Sequence, residues 1–439
     1  MRKNELNTLL RDYVKNHLSP TKAEQDFIST LYAAFKTALG GSSILIGSYA
    51  RFTAIRPLHD LDILFIGGKF DPEHLDARQI LNTLQNTVRT QFKNPTSYQY
   101  EISQQTHSVT VSFLQNGKEF FAVDIVPAFT SGLKNEFGDD IYWVPEIVKY
   151  SPRNRKAKYD AIEKTKKSEL EWWLKSDPRG YISAATAINS ENNDFRKAAK
   201  LVKRWKHNCK DKFGEFKLKS FHIEQGIYSI FKKNPRVEIA DAVFQFFCDL
   251  PDFIAKPQIR DRADTNKFID DYIAQLSLAD RQTIVRARDA FLIKLEEISH
   301  STSVGSLLEA GARQRATTAE AYLFDSRIPT YIEPDMPFKI QGKALQRDGS
   351  FREMILDAIG RIPVDRKIEF RRVRDETDAE HYKWKVKNDD SSDEPRGEIT
   401  DHQTKNDPEN SKFKGNHYVE CYAIKNGVCI ARARQNVVL

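Results

Sequence analysis

Apolar side chains in the first forty residues recur at helical spacing. Helices are predicted over 3–18 and 21–39, punctuated by Pro20, with Thr21 as the second N-cap. The pattern then turns to strands at 43–47 and 60–66. A helix over 77–94 follows, with Ile80, Leu81, Leu84 and Val88 on one side. Strands over 98–103, 107–114 and 119–126 come next, the last two joined by a turn at Asn116-Gly117. This is one sheet backed by helices. Residues 145–325 return to the helical period, with breaks at Pro178, Gly214, Pro235 and Pro251. After Pro329, Pro334 and Pro337 the chain alternates in short strands at Lys367–Val373, Tyr382–Val386 and Tyr418–Lys425. Asn426-Gly427 makes a hairpin from the last of these to Val428–Arg434, which sets Cys429 opposite Ile424 and not opposite Cys421. Residues 387–415 are polar and read as a long mobile loop. The fold class is α+β and bilobal. A mixed lobe spans 1–140, a helical second lobe 141–328, a linker 329–337, and a small mostly-β domain 338–439.

Within the first strands, Gly47-Ser48 is followed by Asp60-Leu61-Asp62, and Asp124 stands alone in Phe120-Phe-Ala-Val-Asp-Ile-Val-Pro127. Alternate residues of a strand share a face, so Asp60 and Asp62 point the same way. Ile63, Leu64, Phe65 and Ile66 continue as an apolar run, the mark of a strand covered on both sides. A carboxylate in such a setting is costly unless a cation meets it, and Asp124 has the same surroundings. Oxygen donors in this number favour Mg²⁺ or Mn²⁺ over zinc. Two ions about 3.5–4 Å apart would clamp an in-line phosphoryl displacement. Asp60 and Asp62 would hold both ions. Asp124 would hold the ion that activates the attacking hydroxyl, or serve as its base. Gly47 would let the backbone approach phosphates where a Cβ would obstruct, and Ser48 would offer its hydroxyl and amide to them. Gly-Ser or Asp-x-Asp alone is an ordinary turn or strand end. The ordered set points to nucleotidyl transfer.

Length fits two or three domains. A net charge of +7 and a pI near 8.9 favour polyanionic ligands without separating nucleotides from DNA or RNA. The basic run Arg153, Arg155, Lys156, Lys158, Lys164, Lys166 and Lys167 is interleaved with Asp160 and Glu163, the composition of a solvated face. Cys209, Cys248, Cys421 and Cys429 lack Cys-x-x-Cys spacing, against both a zinc site and a disulfide framework. The start has no apolar signal region and no run is long enough to span a bilayer, so a cytoplasmic protein is expected. Trp172, Trp173 and Trp205 read as core or lobe-contact residues.

These residues resemble the DNA polymerase β-type nucleotidyltransferases, and within them the cyclic GMP–AMP synthase and oligoadenylate synthase group, whose bacterial members are the CD-NTases. The resemblance covers roughly residues 20–130. A second match lies at Lys200-Leu-Val-Lys203-Arg-Trp-Lys206 and Leu218-Lys-Ser220-Phe-His-Ile-Glu224. It implies that Lys203 and Ser220 bind the donor triphosphate, with Lys200 one helical turn earlier. Lys200 and Lys203 are i, i+3 neighbours, and Ser220 is placed as an N-cap. The last domain, through Tyr382-Lys-Trp384, Arg396-Gly397 and Gly415-Asn-His417, resembles the adenylyl/guanylyl and SMODS C-terminal sensor domain. That resemblance implies nucleotide sensing, with Trp384, Arg396 and His417 as contacts. Residue by residue, Trp384 reads equally as core and Arg396 as a loop charge.

The resemblance implies a Mg²⁺-dependent nucleotidyltransferase of EC 2.7.7 type, with ATP and/or GTP as substrates. Its product would be a cyclic oligonucleotide second messenger, read by a separate effector protein in CBASS-type anti-phage defence. No membrane partner is expected. Two alternatives remain: a nucleotidyltransferase acting on RNA or a small hydroxyl acceptor, and a non-catalytic nucleotide-sensing protein.

Overall fold

A computed structural model describes residues 1–146, 173–345 and 353–439. The basic run from Arg153 to Lys167 and Trp172 lie outside the described residues.

The first lobe is a seven-stranded sheet. Its main path runs β1 (Ser42–Ile46), β2 (Asp60–Lys69), β5 (Lys118–Lys134), β4 (Val109–Gln115), β3 (Gln99–Gln104). β2 and β5 are parallel, and the other pairs along this path are antiparallel. β5 continues past the expected end at 126 and pairs there with β6 (Asp140–Pro145), which pairs in turn with β7 (Trp173–Ser176). The sheet therefore runs beyond residue 140. Side-chain alternation divides its faces. Leu61, Ile63, Val123 and Ile125 point into a core with α2 (Lys22–Leu39) and α4 (Ala77–Gln91). Leu64, Val126 and Ala128 point the other way, into a smaller cluster. Both faces of β2 are covered, as its apolar run required.

Local signals act where expected. Thr21 accepts the Glu24 amide at 3.2 Å in a capping box. Asn116 and Gly117 both have positive φ, 52° and 71°, as a type I′ hairpin needs. α1 (Lys3–Tyr13) leads into a π turn over Val14–Leu18, and together they pack into the helical lobe through Leu6, Leu10 and Leu18.

That lobe is built from α5 (Pro178–Glu191), α6 (Asp194–Phe213), α7 (Ser220–Lys233), α8 (Ile239–Phe253) and α9 (Leu278–Glu296). Pro178 begins α5 instead of breaking a helix, because the first turn has no use for its missing N–H. Pro251 lies inside the last turn of α8. Trp205 is fully buried edge-on to Phe216 and Phe247, and Trp173 packs on Phe70 and Phe129. Both are core.

The last domain is a sandwich of two four-stranded sheets. One runs β13 (Glu409–Asn410), β10 (Lys367–Asp375), β8 (Phe338–Ala344), β9 (Met354–Ile355). The other runs β12 (Ile399–Asp401), β11 (His381–Lys387), β14 (Asn416–Lys425), β15 (Val428–Val438). Trp384, Val386, Val419 and Cys421 face the sandwich interior. Tyr422 and Ile424 face the other way, onto Leu323 and Ile328. Cys429 is the register partner of Ile424, and all four cysteines are buried thiols. Two stretches whose composition reads as loop or linker carry main-chain pairing. Residues 387–415 are not one uninterrupted loop: β12 pairs with β11, β13 pairs with β10, and Arg396 bonds Glu398 and Glu409 between them. The 329–337 segment is held along β15, with the Tyr331 and Glu333 amides donating to Cys429 and Ile430 carbonyls at 2.9 Å each. In both places main-chain pairing absorbs a sequence whose composition reads as loop.

Candidate active site

Sheet register places the acids. Asp62 is the Cα partner of Asp124 across the parallel β2–β5 pair, and Asp60 pairs with Ala122 one step along. Residues in register on neighbouring strands share a face. Asp60, Asp62 and Asp124 thus stand on the face of the sheet opposite the α2–α4 core. Thr110, in register on β4, donates its hydroxyl to Asp124. As the side chains lie, no group of three His, Cys, Asp or Glu among the described residues is close enough to hold a metal ion. The carboxylates nonetheless act on one another. Burial, then Asp60 and Asp124, push Asp62 up to about 7, with Arg51 and Lys203 pulling the other way. Burial also raises Asp124, the Thr110 bond opposing and Asp60 and Glu119 adding to it. A cluster that resists ionisation on its own is one that an added cation would stabilise.

Gly47 begins a four-residue helix, α3 (Gly47–Ala50), directly after β1. Its φ is +71°, and a Cβ there would stand 1.7 Å from Asp62 Oδ2 and 2.6 Å from Asp62 Cγ. The glycine is required by the carboxylate packed against it. This differs from the reason read in the sequence, room for phosphates. Ser48 follows in the same turn, and its carbonyl accepts the Thr53 and Ala54 amides at 3.0 and 3.1 Å.

The cleft in front of these residues is shared by both lobes. Gly47, Ser48, Asp60 and Asp62 line one side, and Lys203, Ser220 and Glu224 the other. Lys203 is 4% exposed and donates to Glu224 Oε1 at 2.6 Å and to the Thr53 carbonyl at 3.0 Å. Glu224 also accepts from Arg51 Nε at 2.7 Å. Burial alone would raise the Glu224 carboxyl, but Arg51 and Lys203 hold it at about 2. This trio ties α3 of one lobe to α6 and α7 of the other. Lys200 goes elsewhere: it is buried, bonds Ser19 Oγ at 3.1 Å, and does not line the cleft. Burial, then Lys203, lowers its pKa to about 8. Ser220 is the first residue of α7 and Lys219 holds the N-cap position, so the expected cap is shifted by one.

Arg51, Glu224, His59 and His207 were missed in the sequence. Glu224 stands inside a quoted motif, but its pairing with Arg51 spans 173 positions and no local spacing shows it. The His59 and His207 rings face each other at 6.5 Å with planes 11° apart, and both line the cleft. Burial, then Lys206 and Arg204, push His207 down to about 4, so it is neutral.

Residues 317–439 match the model of the Adenylyl/Guanylyl and SMODS C-terminal sensor domain. The chain carries that sensor domain. Its matched region begins at 317, ahead of the expected linker, and takes in Glu320 and the segment packed under β11 and β14. Over 179 residues the chain is 30% identical to the Cyclic AMP-AMP-AMP synthase of Escherichia coli (strain MS 115-1), a stretch that is 40% of this chain and 46% of that protein. Two solved structures are similar to it in part. Escherichia coli MS115-1 CdnC in its HORMA-deltaN complex has 19% identity and a TM-score of 0.49, over 68% of this chain and 93% of that one. Escherichia coli DncV in its 3′-deoxy GTP bound form has 13% identity and a TM-score of 0.43, over 69% and 79%. Among the described residues no helix is long and apolar enough to cross a membrane.

Within the sensor domain, Trp384 is 2% exposed and belongs to the sandwich core. Arg396 is committed to Glu398 and Glu409. The Asp389 amide donates to His417 Nδ1 at 3.1 Å, and His417 Nε2 meets the Phe413 carbonyl at 2.8 Å, so both ring nitrogens are engaged within the protein.

Proposed function

We propose that this chain is a divalent-metal-dependent nucleotidyltransferase that joins nucleoside triphosphates into a cyclic oligonucleotide signal. The observation that supports the reading is the strand register that sets Asp60, Asp62 and Asp124 on one sheet face, with Asp60 and Asp62 lining a cleft whose opposite wall brings Lys203 and Ser220. Similarity to a cyclic AMP-AMP-AMP synthase over part of the chain supports it. Asp60, Asp62 and Asp124 would hold two Mg²⁺ ions, with Mn²⁺ as a substitute, and the metal would supply charge neutralisation at the phosphates and a lowered pKa for the acceptor hydroxyl. The raised carboxyls of Asp62 and Asp124 fit such a group.

The acceptor ribose hydroxyl attacks the α-phosphorus of an NTP, pyrophosphate leaves, and a further round closes the ring. Asp124 takes the hydroxyl proton directly or sets its acidity. Ser48 and Ser220 orient the triphosphate. Lys203 contributes its charge from within the Glu224 pair, so its role is to hold the two lobes at a fixed separation as well as to attract phosphate. The signal would act on a separate effector in anti-phage defence, with a nucleotide ligand at the sensor domain as a further proposed partner.

Incubation with labelled NTPs and Mg²⁺, followed by phosphatase and chromatography, tests the reading. Product from the wild-type chain and none from Asp62→Asn or Asp124→Asn variants with unchanged circular dichroism is the expected result. Full activity in the Asp62 variant would refute the site. Product that appears only when RNA or an antibiotic is added would move the assignment to the alternative acceptor class.

A further inference from the structure

Lys203 and Arg51 line the catalytic cleft, yet both are drawn onto one carboxylate of its wall, Glu224. A lysine ammonium has three donors. Lys203 directs its own at Glu224 Oε1 at 2.6 Å, at the Thr53 carbonyl at 3.0 Å and at Thr53 Oγ1 at 3.5 Å. Arg51 turns its fork on the same carboxylate, Nε to Oε2 at 2.7 Å and Nη2 to Oε1 at 3.3 Å, with its guanidinium 4.9 Å from the centre of the Phe221 ring. All three charged side chains are buried. A carboxylate that accepts from a guanidinium fork and an ammonium together occupies them as a phosphate group would.

Glu224 differs in two ways from an ion pair that only fastens α3 to α6 and α7. It lines the cleft itself, in the same wall as Ser48 and Ser220. It also holds Lys203, the cation that the triphosphate would use. A polyphosphate entering this seat meets a fixed negative charge and an ammonium whose donors are already spent. It binds by drawing Lys203 or Arg51 off Glu224, or by sharing them with it. Substrate and leaving pyrophosphate face the same opposition, because both present phosphate groups to the same cations. Affinity common to substrate and product adds nothing to the chemical step, and it slows departure of the product. A seat held down by its own carboxylate therefore favours turnover.

We propose that Glu224 is an internal competitor for the phosphate seat: its carboxylate holds Arg51 and Lys203 in the empty cleft, and the phosphates of the NTP, then pyrophosphate, must displace it or share its partners. The identity of the anion rests on the nucleotidyltransferase reading; the competition belongs to the three side chains.

Calorimetric titration of the full chain in Mg²⁺ with pyrophosphate and tripolyphosphate, which carry neither base nor ribose, tests it. Glu224→Gln keeps the shape and removes the charge, and both anions should bind at least about tenfold tighter than to wild type, a small share of what one unit charge contributes at such distances. Pyrophosphate should then inhibit product formation at a correspondingly lower concentration. A purely structural Glu224 predicts the reverse, since loosening the tie would spread the seat and weaken both anions. Should Glu224→Gln fail to fold alone, the comparison is made in a Lys203→Met background, where only Arg51 loses its counter-charge; binding should tighten there by at least about threefold. The proposal is overturned if binding is unchanged or weaker in these variants, or if neither anion binds wild type or variant. Tighter binding in a chain that makes no product from NTPs would uphold the competition and remove the nucleotidyltransferase reading. Product from wild type with no tightening in the variants would do the opposite.

Discussion

Replacing Gly47 with alanine isolates the contact on which the catalytic reading turns. The added Cβ would arrive 1.7 Å from Asp62 Oδ2, so the carboxylate has to rotate away. Backbone strain comes from the φ of +71°, a left-handed conformation that costs a residue with a Cβ about 1–2 kcal/mol. Turning the Asp62 side chain off its rotamer adds about 0.5–1.5 kcal/mol. The sum of about 1.5–3.5 kcal/mol lowers the thermal midpoint by about 3–14 °C for a cooperative unit of about 150–250 residues. Activity suffers more than stability. Misplacing a reacting group by about 1 Å can cost about a hundredfold, and here the displaced group is a proposed metal ligand. Product formation should therefore fall about a hundredfold in a protein still folded at assay temperature. A double-mutant cycle identifies the cause. With Asp62→Ala in place the collision is gone, so Gly47→Ala should cost only its backbone part, a coupling of about 0.5–1.5 kcal/mol. Near-wild-type activity in Gly47→Ala, or strict additivity with Asp62→Ala in thermal unfolding, would refute the reasoning and return Gly47 to an ordinary turn residue.

Three further outcomes follow from the charges. Asp62 binds its proton more tightly folded, at about 7, than its ordinary 3.8, so the metal-free protein loses stability as pH rises through that window. Asp62→Asn removes the decline, and in EDTA at about pH 8 it should melt above wild type, by up to about 4 kcal/mol of unfolding free energy. An Asn variant that melts lower would show that the acids are not strained. Glu224 titrates at about 2 against 4.5, so its contribution is complete above 4.5 and disappears as pH falls toward 2. Glu224→Gln should flatten that acid limb in calorimetry and cost about 3–5 kcal/mol at neutral pH, because Arg51 and Lys203 stay buried without their counter-charge; an unaltered melting curve would dismiss the interlobe tie. Glu320, 1% exposed, accepts from Arg313 at 2.9 Å and pairs with the buried Lys387 at 3.3 Å, joining the sensor sheet to the segment beneath it. Glu320→Ala should lower the thermal midpoint and change basal synthesis at least twofold, whereas an unchanged rate would separate the sensor sheet from the cleft.

Sequence determined what local physics settles. The turn glycines, the Thr21 cap and the strand alternation are decided by neighbours within a few residues, and so is the Cys429–Ile424 register. The acids could be chosen because an aspartate inside an apolar strand has a cost that composition alone reveals. Tertiary structure decided the rest. Lys200 and Lys203 look equivalent three residues apart, yet one is drawn to Ser19 and the other to Glu224, and only the packing of distant helices makes that choice. The polar stretch 387–415 reads as loop because its order comes from main-chain pairing with strands far along the chain. Gly47 was found by its motif, but its reason for being glycine is a carboxylate fifteen residues on, brought against it by the antiparallel turn-back of β1 onto β2. Periodicity reports which face a side chain takes; which partner waits on that face is a property of the assembled fold.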